Sequence, residues 1–192
     1  MKISKVLKST LFTIVLFTSI SGFSQEKMKK EKSVMVGGAA MYPSKNIVEN
    51  AVNSKDHTTL VAAVKAAELV DVLSSEGPFT VFAPTNEAFA KLPKGTVETL
   101  LMKENKKTLQ TVLTYHVVAG KWNAEDVLEL IKKGKGKAVI ETVSGGMITA
   151  WLKGKDVYVT DANGNSAKIT IADVNQSNGV IHVVDTVLLP KS

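Results

Sequence analysis

The spacing of apolar residues changes along this chain, and that change restricts the possible folds more than any other feature. In the first half, apolar residues recur at helical intervals in three segments: Leu60, Val64 and Ala67; Leu109, Val112 and Leu113; and Val127, Leu128 and Ile131. A residue suited to capping a helix precedes each segment, namely Asp56, Asn105 and Asn123. The sequence therefore predicts three amphipathic helices, the last of which ends at Gly134.

The second half of the chain alternates apolar and polar residues with a period of two. This pattern predicts strands over Met147 to Leu152, Val157 to Thr160 and Ala167 to Val174, with turns at Gly154-Lys155 and Asn163-Gly164. Asn-Gly is favoured where both positions of a hairpin turn need positive φ. The run from Val180 to Leu189 is apolar almost throughout, as in a central strand buried on both faces.

One buried strand interrupts the helical half, from Phe79 to Ala83, and ends at Pro84. The order of elements is otherwise helices first and an antiparallel meander afterwards. A chain with this order belongs to the α+β class, because alternating strands and helices would be needed for a parallel α/β sheet.

The N-terminus has the pattern of a secretory signal. Three lysines, Lys2, Lys5 and Lys8, precede an uncharged run from Leu11 to Ile20, and Gly22-Phe23-Ser24 supplies small residues for cleavage. The run is only about half as long as a membrane-spanning helix of roughly 20 residues, and no later run approaches that length. We therefore predict a signal peptide over residues 1–24 and an exported mature chain that is periplasmic, cell-surface-associated or secreted.

Residues 25–45 resemble a tether more than a domain. The segment is rich in lysine, contains Gly37-Gly38, and shows no sustained period. We expect it to be dispensable for folding, although the apolar residues Val34 to Val36 and Met41 leave open a structural arm. The folded domain is predicted to span residues 46–190.

Composition excludes several classes of function. The sequence contains no cysteine, which rules out disulfides, thiol catalysis and zinc–thiolate sites. Its net charge is +6, but three of the lysines leave with the predicted signal peptide. All of its cationic side chains except the histidines are lysines, so the residue that binds phosphate and guanine edges bidentately is absent. We expect no nucleic-acid partner and no cofactor.

Three motifs carry a family resemblance. They are Gly77-Pro78-Phe79-Thr80-Val81-Phe82-Ala83-Pro84-Thr85-Asn86-Glu87-Ala88-Phe89, then Thr114-Tyr115-His116-Val117-Val118, and finally Asn178-Gly179-Val180-Ile181-His182-Val183-Val184-Asp185 followed by Val187-Leu188-Leu189-Pro190. In this order they resemble the signatures of the fasciclin domain family, and with the intervening helices they cover residues 46–190. Asn86 departs from the family pattern, in which many members carry Asp, and we interpret it as a capping variant.

The resemblance implies a twisted, two-sheet β-wedge with several short helices packed along one edge. It also implies an extracellular or periplasmic protein of adhesion or matrix interaction, with no established catalytic activity, and some relatives carry apolar ligands. We predict structural roles for the polar and apolar residues of the motifs: Thr80, Phe82, Pro84, Thr85, Tyr115, His116, Asn178, Gly179, His182 and Asp185.

The three histidines, His57, His116 and His182, are the residues that most suggest a metal or catalytic site. A zinc site would have to assemble from three remote segments, so we favour a hydrogen-bonded core position for His182 and an exposed position for His57. The stretch Asp161 to Asn165 begins like a calcium loop but lacks its spacing, and turn chemistry accounts for it. Asn175-Gln176-Ser177 is a glycosylation sequon that matters only in a eukaryotic source.

These observations favour an exported, non-catalytic interaction module whose partner is a surface protein or a polysaccharide. The alternative is a carrier that holds an apolar small molecule, such as a lipid or a pigment. A hydrolase would require a nucleophile or an acid in a cleft, and no residue pattern in the sequence nominates one.

Overall fold

The computed structural model of the protein describes residues 31–191, so the predicted signal peptide and residues 25–30 of the predicted tether lie outside the described residues. Its helices are α1 Ile47–Ala51, α2 Thr58–Ala66, α3 Val70–Ser74, α4 Asn86–Ala90, α5 Thr96–Leu100, α6 Lys106–Tyr115 and α7 Ala124–Lys133. Its strands are β1 Val34–Val36, β2 Ala39–Met41, β3 Phe79–Pro84, β4 Val117–Ala119, β5 Lys137–Glu141, β6 Met147–Lys153, β7 Asp156–Thr160, β8 Ser166–Gln176 and β9 Gly179–Val184. Across this range, no helix is both long enough and apolar enough to cross a membrane.

Strands β3 to β9 form one sheet of seven strands in the order β4-β3-β9-β8-β7-β6-β5, and β1 pairs only with β2. Neighbouring strands are antiparallel except β3 and β9, which run parallel from Phe79 opposite Gly179 to Pro84 opposite Val184. The fold class is therefore α+β, which confirms the prediction.

The long strand β8 belongs to both halves of the sheet. Ser166 to Lys168 pair with β7, whereas Ile169 to Gln176 pair with β9. The register shifts twice between Ile169 and Val174, and Asp173 adopts φ 58° in this stretch. Because such irregularities bend a strand and increase its twist, one strand serves both halves of the sheet.

Two apolar clusters fill the interior, one beneath each half of the sheet. In the first, α1 to α6 pack against β3 and β9 through residues such as Leu60, Leu109, Val81 and Ile181. In the second, Val127 and Ile131 of α7 pack against β5, β6 and β7 through residues such as Ile148 and Val159. Strand β9 is buried at every position, as the apolar run in the sequence indicates.

Residues 34–41 differ from the expected tether. They form the hairpin of β1 and β2, and Val36 and Met41 are each only 1% exposed within the first apolar cluster. Gly37 makes the turn with φ 57°, and its carbonyl accepts a hydrogen bond from the Lys55 amide at 3.0 Å. Three-residue strands are too short to show a period, which is why the sequence pattern does not reveal this structural arm.

Two local expectations also need correction. The Asn163-Gly164 turn has positive φ only at Gly164, so it is not the two-residue hairpin turn that the dipeptide favours. Asp56 lies in a 3₁₀ turn, Lys55–His57, and does not cap α2, whose N-cap is His57 without a capping side-chain bond.

Candidate functional site

The three sequence motifs become three adjacent strands. The first motif supplies β3 and α4, the second supplies the end of α6 and β4, and the third supplies β9. Since β3 lies between β4 and β9, residues that are about 35 to 100 positions apart along the chain meet in one part of the sheet. The candidate site is therefore this junction of β4, β3 and β9.

Thr80 connects the sheet to the loop that follows β4. Its hydroxyl donates to the Gly120 carbonyl at 2.7 Å and accepts from the Trp122 amide at 2.9 Å. The side chain is buried, so both of its hydrogen-bonding roles are filled by backbone and not by water.

Tyr115 is fully buried at the end of α6. Its hydroxyl donates to the Met147 carbonyl of β6 at 2.7 Å and accepts from the Ala162 amide at 3.0 Å. Burial raises the pKa of this phenol, although the Ala162 amide favours the ionised form. The tyrosine thus ties α6 to the far half of the sheet and remains protonated at neutral pH.

His116, the next residue, uses both ring nitrogens inside the protein. Nδ1 donates to the Val112 carbonyl at 2.8 Å, and Nε2 accepts from the Leu188 amide at 2.9 Å. This arrangement requires the neutral ring with its proton on Nδ1. Burial lowers the pKa of His116 to about 4, against the opposing effects of the Val112 carbonyl and Asp161.

His182 lies in the middle of β9 with no exposed surface. Nε2 donates to the Trp122 carbonyl at 2.8 Å, Nδ1 accepts from the Asp173 amide at 3.3 Å, and the ring packs on Phe82 with centroids 5.7 Å apart. Burial lowers the pKa of His182. Neither His116 nor His182 has a free nitrogen for a metal or for proton transfer.

His57 contradicts its predicted exposure, because only 2% of it is accessible. Nδ1 lies 2.9 Å from the Ser54 hydroxyl, and burial lowers the pKa of the ring. The 3₁₀ turn Lys55–His57, which the sequence pattern does not reveal, directs the side chain inward. Within residues 31–191, no three His, Asp or Glu side chains come together in a way that would hold a metal ion.

Asn178 and Gly179 form a corner at the start of β9. The Asn178 amide group donates to the carbonyls of Leu73 and Ser75, both at 2.9 Å, and its oxygen accepts from the Ile47 amide at 3.0 Å. A Cβ at position 179 would lie 2.1 Å from the Phe79 carbonyl oxygen, so the close pairing of β9 with β3 requires glycine there.

The residues at the end of β3 join helices to the sheet. Pro84 is the last residue of β3 and is buried. Thr85 is the N-cap of α4, and the Thr85 hydroxyl accepts a hydrogen bond from the Ala88 amide at 3.2 Å. Asn86 does not cap α4; its oxygen accepts from the Thr59 amide at 2.9 Å and its amide donates to the Lys55 carbonyl at 2.8 Å. Asn86 therefore connects the first turn of α2 to α4.

Asp185 is one of two predicted motif residues that are only half-buried, the other being Thr85. Its carboxylate accepts from the Lys168 amide at 2.8 Å and lies 3.7 Å from the Lys91 ammonium group. Its side chain is 40% exposed, so the ion pair with Lys91 contributes little stability.

Two buried or half-buried aspartates organise loops, and the sequence pattern indicates only the turn at Asp161. Asp161 accepts hydrogen bonds from the amides of Asn163 and Asn165, both at 2.9 Å, and from the Leu189 amide at 3.0 Å. Asp173 accepts from the Ala124 amide at 2.7 Å, at the start of α7. An Asp two residues before Asn163 is a recognisable turn signal, whereas the contacts of Asp173 and Leu189 depend on tertiary structure.

An apolar cavity lies between the helices and β3 and has a volume of only ≈ 50 Å³. Val48, Leu60, Val64 and Leu113 are among the residues that line it. Sites for small organic ligands usually measure about 300–1,000 Å³. Larger spaces, of ≈ 490 and ≈ 380 Å³, are open surface grooves.

Comparison with known proteins agrees with this architecture. The family model of the fasciclin domain matches residues 55–190. The chain is 47% identical to protein sll1483 of Synechocystis over 94% of its own length and 98% of that protein. It is 35% identical to immunogenic protein MPB70 of Mycobacterium bovis over 72% of its own length and 65% of that protein.

A solved structure has the same fold. The FAS1 domain pair from the insect cell adhesion molecule fasciclin I superimposes with a TM-score of 0.68 at 16% identity, over 83% of this chain and 58% of that chain. At 16% identity the structural match shows only that the fold is shared, and the match of the family model shows that the chain is a member of the family. The chain belongs to the fasciclin domain family.

Proposed function

We propose that this protein is an exported, non-catalytic interaction module that binds a partner at the cell surface or in the surrounding matrix. One observation carries the proposal: the polar side chains of the three motifs are occupied by the protein's own backbone. Tyr115, His116 and His182 each make both of their hydrogen bonds internally. Side chains that are bonded in this way hold the strands together, so we expect a partner to bind exposed residues instead.

The electrostatics of the junction agree with a structural role. A general acid or base works best with a pKa near the operating pH and within reach of substrate. Burial instead moves the pKa values of His116 and His182 downward and that of Tyr115 upward, away from neutrality. All three residues are buried, so they stay in their neutral forms.

Family relationships support the interaction role and the export. The structural neighbour is a domain pair from a cell adhesion molecule. The basic residues and apolar run of residues 1–24 support removal of a signal peptide. The intact mass of the exported protein is expected to correspond to a chain that begins near Gln25, and a retained Met1 would contradict export by this route.

The carrier alternative receives less support from the geometry. The ≈ 50 Å³ cavity is several times smaller than a lipid or a pigment requires, so a carrier would need α1, α2 and α3 to separate from β3. A carrier purified from its native host would bring its ligand with it, which absorbance and mass spectrometry would detect.

Binding of labelled protein to intact cells and envelope fractions of its native host tests the proposal. We expect saturable binding that excess unlabelled protein displaces. An unrelated lysine-rich protein of similar size and net charge is the control, because nonspecific charge attraction would retain both proteins equally. Binding that does not saturate, or that matches the control, would contradict an interaction module.

A further inference from the structure

The solvent face of the second half of the sheet carries basic and aromatic side chains in one line. The register of β5, β6, β7 and β8 places Lys137 opposite Trp151, Trp151 opposite Tyr158, and Tyr158 opposite Lys168. We call these four residues the Lys–Trp–Tyr–Lys row. With strands about 4.8 Å apart, the row extends over roughly 14 Å.

The row lies on the side of the sheet opposite α7. Helix α7 covers the opposite side, where Val127 and Ile131 pack on Ile148 and Ala150. Since side chains alternate between the two faces of a strand, the row faces away from that cluster. Lys137 is exposed and Trp151 is half-buried, as expected for an uncovered face.

The two rings are fixed in place by their neighbours. Trp151 and Tyr158 stack with ring centroids 5.2 Å apart and planes 26° apart. The Trp151 indole also donates to the Thr160 hydroxyl at 2.8 Å, and that hydroxyl lies 2.8 Å from the Ser166 hydroxyl. Each ring covers one face of the other, and no other aromatic ring or cation of residues 31–191 packs on the opposite faces.

Further lysines lie at the same end of the sheet as the row. Lys153 and Lys155 are at the β6–β7 turn, and Lys135 precedes β5. None of these three, nor Lys137, forms an ion pair with another residue between 31 and 191. Lys168 pairs with Asp156 at 2.7 Å, so these two charges neutralise each other and the other four lysines supply the excess positive charge. The result is a concentration of positive charge beside two aromatic rings.

We propose that this face binds an acidic polysaccharide, a chain of sugars that carry carboxylates. Ring faces pack against the C–H groups of sugars, hydroxyls such as that of Thr149 on the same face exchange hydrogen bonds with them, and the lysines pair with their carboxylates. A polymer fits the roughly 14 Å row better than a single small anion. This inference rests on the proposed interaction role and names its partner class.

An anionic membrane surface is the competing partner for a basic and aromatic face. Membrane binding requires apolar side chains to enter the bilayer beside the basic residues. The exposed Met147 instead lies at the other end of the face, opposite Glu141, and the exposed Val139 lies midway between Lys137 and Glu141. The arrangement therefore favours the polysaccharide.

Binding of the full exported protein to alginate, a polymer of uronic acids, tests the inference by calorimetry. We expect binding that weakens with added salt, and none to neutral dextran. The double variant Lys137→Glu/Lys155→Glu should bind alginate at least about tenfold more weakly, which corresponds to about 1.4 kcal/mol. The variant Trp151→Ala should also bind more weakly while its folding, measured by circular dichroism, is retained.

The matched control is Lys103→Glu/Lys107→Glu, which changes the net charge equally on exposed residues that lie in other elements, before and within α6. It should bind alginate within about twofold of the unmodified protein, because its charges lie outside the face. The inference is wrong if the unmodified protein does not bind alginate, if both double variants lose equal affinity, or if phosphatidylglycerol vesicles bind more tightly than alginate.

The same variants separate this inference from the proposed function. If the unmodified protein binds envelope fractions saturably and Lys137→Glu/Lys155→Glu binds them equally well, the interaction role stands and this surface is wrong. If the unmodified protein binds neither alginate nor the native surface, both are wrong.

Discussion

At the scale of single residues, the motif side chains act as hydrogen-bonding partners for backbone groups that would otherwise be buried alone. Thr80 serves Gly120 and Trp122, and Asn178 serves Leu73, Ser75 and Ile47. A buried backbone group without a partner costs about 1–3 kcal/mol. Loss of such a side chain should therefore lower the free energy of unfolding, and any loss of function should follow from that.

Tyr115→Phe isolates one of these contributions, because it removes only a hydroxyl. That hydroxyl bonds Met147 at 2.7 Å and Ala162 at 3.0 Å, so both backbone groups lose a partner. We expect the free energy of unfolding to fall by about 1–3 kcal/mol in urea titrations. The control is Tyr158→Phe, which alters a half-buried tyrosine on the open sheet face and should change stability by less than about 0.5 kcal/mol. Equal effects of the two changes would show that the buried hydroxyl has no special role.

The histidines predict a loss of stability in mild acid. Burial lowers the folded-state pKa of His116 to about 4 and also lowers the pKa values of His57 and His182. An unfolded histidine has a pKa of about 6.5, so between pH 6.5 and 4 the unfolded chain binds more protons than the folded one. The free energy of unfolding is therefore highest, with respect to these histidines, above about pH 6.5, and it falls as the pH falls toward 4.

Urea titrations at pH 7 and pH 5 measure this effect. His116 alone should contribute about 2 kcal/mol to the decrease in stability between these two pH values. The variant His116→Asn is less stable at both pH values, but its decrease between them should be smaller by that amount. An unchanged decrease in the variant would show that His116 does not carry the pH dependence.

At the scale of elements, the sequence indicates those parts of the fold whose residues follow a period or fill both faces of a strand. Strand β9 is recognisable in the sequence because it is apolar on both faces. Helix α7 is recognisable because it has an apolar stripe at helical spacing, acidic residues in its first turn and lysines in its last turn. The parallel pairing of β9 with β3 is not recognisable in this way. It joins segments 100 residues apart, and no local pattern specifies such a register.

The candidate site divides in the same way. The motifs identify Tyr115, His116 and His182, whose surroundings are apolar in sequence. The burial of His57 and the loop contacts of Asp161 and Asp173 depend on partners far along the chain or on backbone geometry. The Lys–Trp–Tyr–Lys row likewise exists only through the register of four strands, so no linear motif contains it.

The hairpin of β1 and β2 gives a prediction at this scale. Val36 and Met41 are buried in the main apolar cluster, and full burial of such a side chain stabilises a protein by about 1.5–3 kcal/mol. A chain that begins at Lys45 should therefore be less stable by several kcal/mol and melt about 10 °C or more below the mature protein. Calorimetry of the two chains measures the difference.

A chain that begins at Glu31 is the control for this truncation, since it keeps the hairpin and lacks only residues 25–30 of the predicted mature chain. It should melt within about 3 °C of the mature protein. If the chain that begins at Lys45 melted as high as this control, residues 34–41 would be the dispensable tether that their composition suggests.

At the scale of the whole molecule, the protein separates the residues that hold the fold from the surface that is open to a partner. The junction of β4, β3 and β9 is closed by its own hydrogen bonds, and the apolar cavity beside it is small. On the other half of the sheet, lysines and aromatic rings lie on the face that is turned away from α7. Because these two sets of residues are separate, stability and binding should respond to different substitutions.

His182→Ala tests this separation, with the melting temperature and the binding to the native cell surface measured on the same preparation. Removing the imidazole leaves the Trp122 carbonyl and the Asp173 amide without partners, so stability should fall by about 1–3 kcal/mol. Binding per folded molecule should stay unchanged, and total binding should fall only as the folded fraction falls. An unchanged melting temperature together with abolished binding or activity would contradict this separation, because it would make His182 a functional residue and not a structural one.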